Sequence, residues 1–250
     1  MPTVAFFATC IVDNIMPEIG VAAVRLLRAA GYEVVFPSGQ TCCGQPFYNS
    51  GLREQSLPLA QRTVEIFEPY DAVVLPSGSC TAMLRVEYPH LFADTPDWLA
   101  RARALAAKTF ELTEFLVHQA HWTPPRWNGA PSITYHDSCH MYRMLGLHDE
   151  PRRLLRAAGY TIVEMEESHF CCGFGGLFSV RMANISNAIT RDKLRQALET
   201  SAPLLVSADP GCIMQMRGML KDTDLRVEHV AVMLAQALHE GQGEDMRREA

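Results

Sequence analysis

Arg25-Leu26-Leu27-Arg28-Ala29-Ala30-Gly31-Tyr32 recurs letter for letter as Arg153-Leu154-Leu155-Arg156-Ala157-Ala158-Gly159-Tyr160. An eight-residue identity within one chain is not a chance event, and it marks a duplication. Each copy is followed by apolar residues, Val34, Val35 and Phe36 against Ile162, Val163 and Met165. Upstream, Val4–Ala8 leads to Cys10, and Ile133-Thr134-Tyr135 leads to Cys139. Downstream, Ala72–Leu75 precedes Cys80, and Leu204-Leu205-Val206 precedes Cys212. Short apolar runs thus alternate with helical stripes. Ile19, Ala22, Ala23, Leu26, Leu27 and Ala30 form one such stripe, closed by Gly31 where a helix-terminating glycine belongs. The alternation predicts two duplicated Rossmann-like α/β domains related by internal pseudo-symmetry, each a mainly parallel sheet flanked by helices. Further helices are expected at Asp97–Ala120, Pro151–Ala158, Asn184–Glu199 and Val227–Leu238. The Pro- and Gly-dense stretch 123–131 reads as a linker between domains 1–122 and 132–240, and 241–250 as a polar tail.

All eight cysteines fall into the repeat. Cys42-Cys43-Gly44 in the first copy answers Cys171-Cys172-Gly173 in the second, and 31 residues separate Cys10 from Cys42 and Cys139 from Cys171 alike. Cys10, Cys80, Cys139 and Cys212 lie just past expected strands, at the sheet edge where open α/β folds bind ligands. Each half therefore offers four thiolates: Cys10, Cys42, Cys43 and Cys80, then Cys139, Cys171, Cys172 and Cys212. Four thiolates serve a [4Fe–4S] cluster or a structural zinc equally well. Adjacent cysteines lean towards iron–sulfur, because zinc sites favour spacers of two or more residues. The run Cys171-Cys172-Gly173-Phe174-Gly175-Gly176 leans the same way, since glycines let backbone N–H groups approach sulfur. A buried apolar cysteine and a redox-active vicinal dithiol are the alternatives.

The chain has 250 residues, 48% of them hydrophobic and 20% charged, which is a globular composition. Its net charge of −6 argues against a nucleic-acid surface. No apolar run approaches a bilayer span, and Met1-Pro2-Thr3 does not open a signal peptide. A reducing, cytoplasmic location is expected, which makes metal or redox chemistry the default for so many cysteines. No Gly-x-Gly-x-x-Gly follows the first strand, so no dinucleotide is expected; hydrolase motifs are absent too.

With these residues in view, the chain resembles the cysteine-rich CCG-domain proteins. Their members include the cysteine-rich component of heterodisulfide reductase and the iron–sulfur components of glycolate- and glycerol-3-phosphate-oxidising enzymes. Ser77-Gly78-Ser79-Cys80, Tyr135-His136-Asp137-Ser138-Cys139-His140, Cys171 to Gly176 and Asp209-Pro210-Gly211-Cys212 carry the likeness. The resemblance implies an iron–sulfur electron-transfer subunit of a lactate (2-hydroxy-acid) oxidising system. In that picture it converts L-lactate to pyruvate with a ferredoxin-like subunit and a small companion protein. The fullest family motif ends in Cys-x-x-Cys and supplies five thiolates. Here Ser77 and Asp209 stand at the first of those positions, which disfavours the five-thiolate, disulfide-reducing site.

The expected cofactor is an iron–sulfur cluster, [4Fe–4S], in the C-terminal half, with zinc or a second cluster in the N-terminal half. A zinc-holding scaffold and a thiol–disulfide protein are the other readings. His136, His140 and His169 are candidates to ligate metal, relay protons or hydrogen-bond sulfur. Arg143 and Arg181 are candidate partners for a substrate carboxylate, against an ordinary surface role. Asp209 either offers an oxygen to iron or caps a turn. The Trp98–Arg103 helix is amphipathic, with a partner face or core packing as its uses. Met214, Met216 and Met219 are expected beneath Cys212 as core.

Overall fold

The computed structural model describes residues 1–221 and 223–248. Among the described residues eight strands form two four-stranded sheets: β1 (Thr3–Phe6), β2 (Glu33–Val35), β3 (Val73–Leu75) and β4 (Thr109–Glu111), then β5 (Ser132–Tyr135), β6 (Thr161–Ile162), β7 (Leu204–Ser207) and β8 (Arg226–His229). The orders are β2-β1-β3-β4 and β6-β5-β7-β8, and every pairing is parallel. Central strands covered on both faces must be apolar throughout, and β3 and β7 are buried along their whole length. In each sheet the chain moves one way from the first strand and then crosses to its other side. The crevice therefore opens between β1 and β3, and between β5 and β7.

The expected helices at Ile19–Ala30, Pro151–Ala158 and Asn184–Glu199 are found as Pro17–Ala29, Asp149–Ala157 and Ala183–Glu199. Two expectations are corrected. The single helix at Asp97–Ala120 is instead a helix Pro96–Ala107, then β4, then a turn Leu112–Glu114 running into a π-helical segment Phe115–Gln119. The helix expected at Val227 begins as β8, and becomes helical only at Val230. Both fourth strands pass into helix with no Gly or Pro between, so the helical stripe reads through them. Their last residues act as caps: Glu111 Oε2 accepts from Thr113 N, and His229 Nδ1 accepts from Ala231 N. The final helix, Val230–Arg248, also runs through most of the stretch read as a tail, while residues 249–250 lie outside the described residues.

The two halves are interlocked. The helix after β8 packs on Pro17–Ala29 of the first half, and the turn after β4 packs reciprocally on Asp149–Ala157 of the second. Val4, Phe6, Leu26 and Leu116 share one buried cluster with Ile133, Tyr135, Leu155 and Leu234. The segment 123–131 is pinned rather than free, since Trp127 N donates to Ala158 O and its ring meets Tyr160 edge-on at 5.9 Å. Near the cysteines, the helix Cys10–Asn14 packs on Pro210–Met219, and Gly78–Ala82 packs on the π-helical turn His140–Leu145. That exchange turns the carboxyl edges of the two sheets towards one another.

Candidate metal centre

All eight cysteines are free thiols and all line one cavity of about 340 Å³ between the halves. Cys10, Cys80, Cys139 and Cys212 each sit in the first turn of the helix that follows a central strand, or within one residue of its start. The Cys-Cys-Gly loops return from β2 and β6 to the same edge. In the first set Cys10 Sγ lies 3.6 Å from Cys42 Sγ, and Cys43 Sγ lies 3.4 Å from Cys80 Sγ. Thiol hydrogen bonds from Cys10 and Cys43, helped by the Gly44 N–H, pull the Cys42 pKa down to about 3. Cys171 is held well below the thiol range in the same way, by Cys139 and Cys172 and then by Gly173 N–H. In each quartet the neighbouring thiols and a glycine N–H thus favour the thiolate form of one sulfur, the form that binds metal.

The motif glycines are required by geometry. Gly44 and Gly173 have φ of 85° and 91°, and place N–H groups 3.4 and 3.3 Å from Cys42 and Cys171 sulfur. A Cβ on Gly173 would stand 2.5 Å from Ser186 O, and one on Gly44 2.7 Å from Ser56 Oγ. Those same serines donate to the glycine carbonyls, Ser56 Oγ to Gly44 O and Ser186 Oγ to Gly173 O. Gly173→Ala is thus expected to cost about 2 kcal/mol or more and to lower metal content at the second site. Urea denaturation with metal analysis checks this, and wild-type values in both would contradict it.

Ser77 and Asp209 are occupied as caps. Ser77 Oγ accepts from Cys80 N, Asp209 Oδ1 from Gly211 N, and Asp209 Oδ2 from Ser79 N across the interface at 2.6 Å. The turn reading of Asp209 fits this geometry, which adds a clamp between the halves.

The three histidines separate. His136 is fully buried, and one of its ring nitrogens lies with Cys172 Sγ and Cys212 Sγ so that the three atoms are within 4.8 Å of one another. Burial, then the nearby Lys193 cation, pulls its pKa down to about 4. His140 lines the cavity with Nδ1 3.7 Å from Cys139 Sγ. His169 is outside the lining and stacks on Tyr142 at 5.4 Å. Arg143 and Arg181 do not line the cavity. Met216 is core and Met219 packs against it, whereas Met214 also reaches the cavity wall. Trp98 packs inward on Phe92, with Arg101 over its ring at 4.2 Å, so core packing accounts for that helix.

Two residues of the second half were not singled out from sequence. Lys193 is buried and donates to Glu167 O at 2.5 Å and Gln196 Oε1 at 3.3 Å, tying down the segment before Cys171. Burial lowers its pKa to about 8, and the second quartet lies close enough to feel its charge. Arg152, also buried, grips Asp137 two residues before Cys139. The signal for both was a break in the repeat: by the offsets of their neighbours, Val24 and Thr63 stand where Arg152 and Lys193 do.

The cysteine-rich domain family matches residues 4–85 and 133–217, one match per half. Along nearly the whole chain the likeness extends to lactate utilization protein A. The Exiguobacterium protein is 46% identical over 94% of this chain and 97% of its own. The Bacillus subtilis protein is 45% identical over 92% and 98%. The chain belongs to this cysteine-rich CCG-domain family. Among solved structures, a hypothetical protein from Helicobacter pylori shares the fold, with a TM-score of 0.69 at 10% identity. That match covers 97% of this chain, which spans about half the length of the Helicobacter chain.

A thiolate-rich family domain and a buried His–Cys cluster together suggest metal binding. The donors fit a thiophilic metal chemically: eight sulfurs, backbone N–H groups on two of them, and a buried imidazole with an unpartnered nitrogen.

Proposed function

We propose that the chain is the iron–sulfur electron-transfer subunit of a system that oxidises L-lactate to pyruvate. The observation that carries the redox part is the convergence of both cysteine quartets on one cavity. Cys10, Cys42, Cys43 and Cys80 would hold one centre and Cys139, Cys171, Cys172 and Cys212 the other. The cluster type the donors suit is [4Fe–4S]. When bound, such clusters pass single electrons, while lactate oxidation releases two. A ferredoxin-like subunit and a small companion protein would take up the electrons and complete the oxidation. The lactate assignment is carried by the relatives, which are called lactate utilization protein A. The working place is the reducing cytoplasm, in keeping with eight free thiols. Among the described residues no helix is long and apolar enough to cross a membrane.

One observation favours zinc as a second reading. Sulfur pairs at 3.4 and 3.6 Å approach the about 3.8 Å edge of a zinc–thiolate tetrahedron. A closed structural zinc, however, needs no shared void lined by every thiol. Anaerobically purified protein is expected to be brown, with iron and acid-labile sulfide in near-equal amounts and a visible absorbance bleached by dithionite. Colourless protein holding zinc alone after anaerobic reconstitution would overturn the electron-transfer reading.

A further inference from the structure

We propose that His136 is a direct metal ligand in the second site, which is thereby a mixed imidazole–thiolate centre while the first is thiolate only. The proposal rests on the reading that the quartets hold metal. It goes beyond that reading by adding a donor that the Cys-Cys-Gly pattern does not contain.

Three observations converge on the ring. First, its tautomer is set: His136 Nδ1 lies 3.2 Å from Ser168 O. A carbonyl can only accept, so Nδ1 carries the proton and Nε2 presents its lone pair. Second, that lone pair is unspent. Nε2 is buried and has no hydrogen-bond partner among the described residues. Third, the imidazole lies beside the sulfurs of Cys172 and Cys212, with one ring nitrogen and the two sulfurs within 4.8 Å of one another. A buried lone pair without a partner is unfavourable, and a metal among those sulfurs would remove that cost.

The ring is also held as metal-bound histidines are held. Such residues donate the remote N–H to a backbone carbonyl, which fixes orientation and strengthens the ligating nitrogen. Ser168 O is a well-anchored acceptor, taking Asp137 N at 3.0 Å and Lys193 Nζ at 3.5 Å besides His136. His136 N donates to Val206 O at 2.8 Å, which locks the residue to β7. The matching position three residues before Cys10 is Phe7, packed on Phe67 at 5.0 Å. The first site has no such nitrogen there. A neutral imidazole beside the thiolates gives the second site a donor set different from the first, and donor set is one of the determinants of reduction potential. The two centres would then differ in potential and order electron flow between them.

Pulsed EPR of the full chain tests this through the nitrogen coupling to the metal. If the protein holds iron, the dithionite-reduced form is measured; if it holds zinc, the cobalt(II)-substituted form is measured. This keeps the ligand question separate from the iron–sulfur question. The wild type is expected to show the strong nitrogen coupling of a directly bound imidazole, shifted by ¹⁵N-histidine labelling. His136→Phe should lose that coupling, and His140→Gln should keep it. No such coupling in the wild type, its persistence in His136→Phe, or its loss in His140→Gln would each overturn the proposal. So would a purified, reconstituted chain that binds neither iron nor zinc.

Discussion

Arg152→Met is expected to destabilise the protein by about 3–5 kcal/mol at pH 7, the usual cost of stripping one partner from a buried ion pair. Arg152 is 3% exposed and meets Asp137 through two parallel bonds of 2.7 and 2.9 Å. It meets Glu164 through two more, of 2.9 and 3.0 Å. Its guanidinium also lies 4.7 Å over the Tyr135 ring, at the end of β5. Burial by itself pushes the Asp137 carboxyl up, but the Arg152 bonds outweigh it and hold the group below the ordinary carboxylate range. Methionine matches the volume of the stem and leaves Asp137 buried without its cation. The sign with pH follows from linkage. In the wild type the folded pKa is depressed, so the stabilisation is present above the unfolded value and lost as pH falls through the folded one. In the variant burial is opposed only by Ser168 and by His148, 3.2 Å from Asp137, so the folded pKa rises and the penalty shrinks as pH falls towards the unfolded value. The gap between the proteins should therefore narrow from pH 7 to pH 4 in urea denaturation. Asp137→Asn combined with Arg152→Met should recover much of the loss, because no buried charge remains. A gap below about 1 kcal/mol at pH 7, or one that does not move with pH, would count against the buried-pair account.

The frame of this fold was legible because duplication makes periodicity readable twice. Arg25–Tyr32 and Arg153–Tyr160 located equivalent helices, and the apolar runs before the cysteines located the central strands. The fourth strands escaped for a physical reason. Thr109–Glu111 and Arg226–His229 are short edge strands carrying polar residues, and each turns into a helix through a side-chain cap instead of a glycine or proline. Glu111 and Glu114 form a reciprocal capping box, which was the available signal for that boundary. The cysteine sets could be assembled from spacing and strand ends, yet their convergence on one cavity could not. It depends on helices crossing between halves, a long-range packing choice that no local pattern records. His136 was legible as a candidate but indistinguishable in sequence from His140 and His169. What separates it is burial and an unpartnered nitrogen, both tertiary properties. The departures from the repeat, Phe7 to His136 and Val24 to Arg152, mark where the second half was given chemistry that the first lacks.

That asymmetry yields the other large expected effect. Cys172→Ser should remove most of the metal from the C-terminal half and leave the N-terminal half largely loaded, and Cys43→Ser should do the reverse with a smaller total loss. Both cysteines are buried, and serine is close to isosteric, so the change removes a soft donor with little disturbance of packing. The larger loss is assigned to Cys172 because its half adds His136 beside the sulfurs, the buried Lys193 cation, and the Gly173–Gly176 turn with three positive-φ glycines. Each of these supports an anionic centre, by ligation, by charge or by freeing backbone N–H groups. The first half has the Gly44 N–H on Cys42 but Phe7 and Thr63 at the matching positions. Metal and sulfide analysis of the two variants, purified side by side without oxygen, reads the effect directly. Equal losses would contradict the asymmetry. Loss of all metal from either single change would contradict something deeper, the independence of the two quartets. Because the eight sulfurs face one cavity, that outcome would mean a single centre bridging the halves, with the interlocked helices as its frame. A partial, unequal loss instead means two centres of one duplicated design, of which the second carries the added donors.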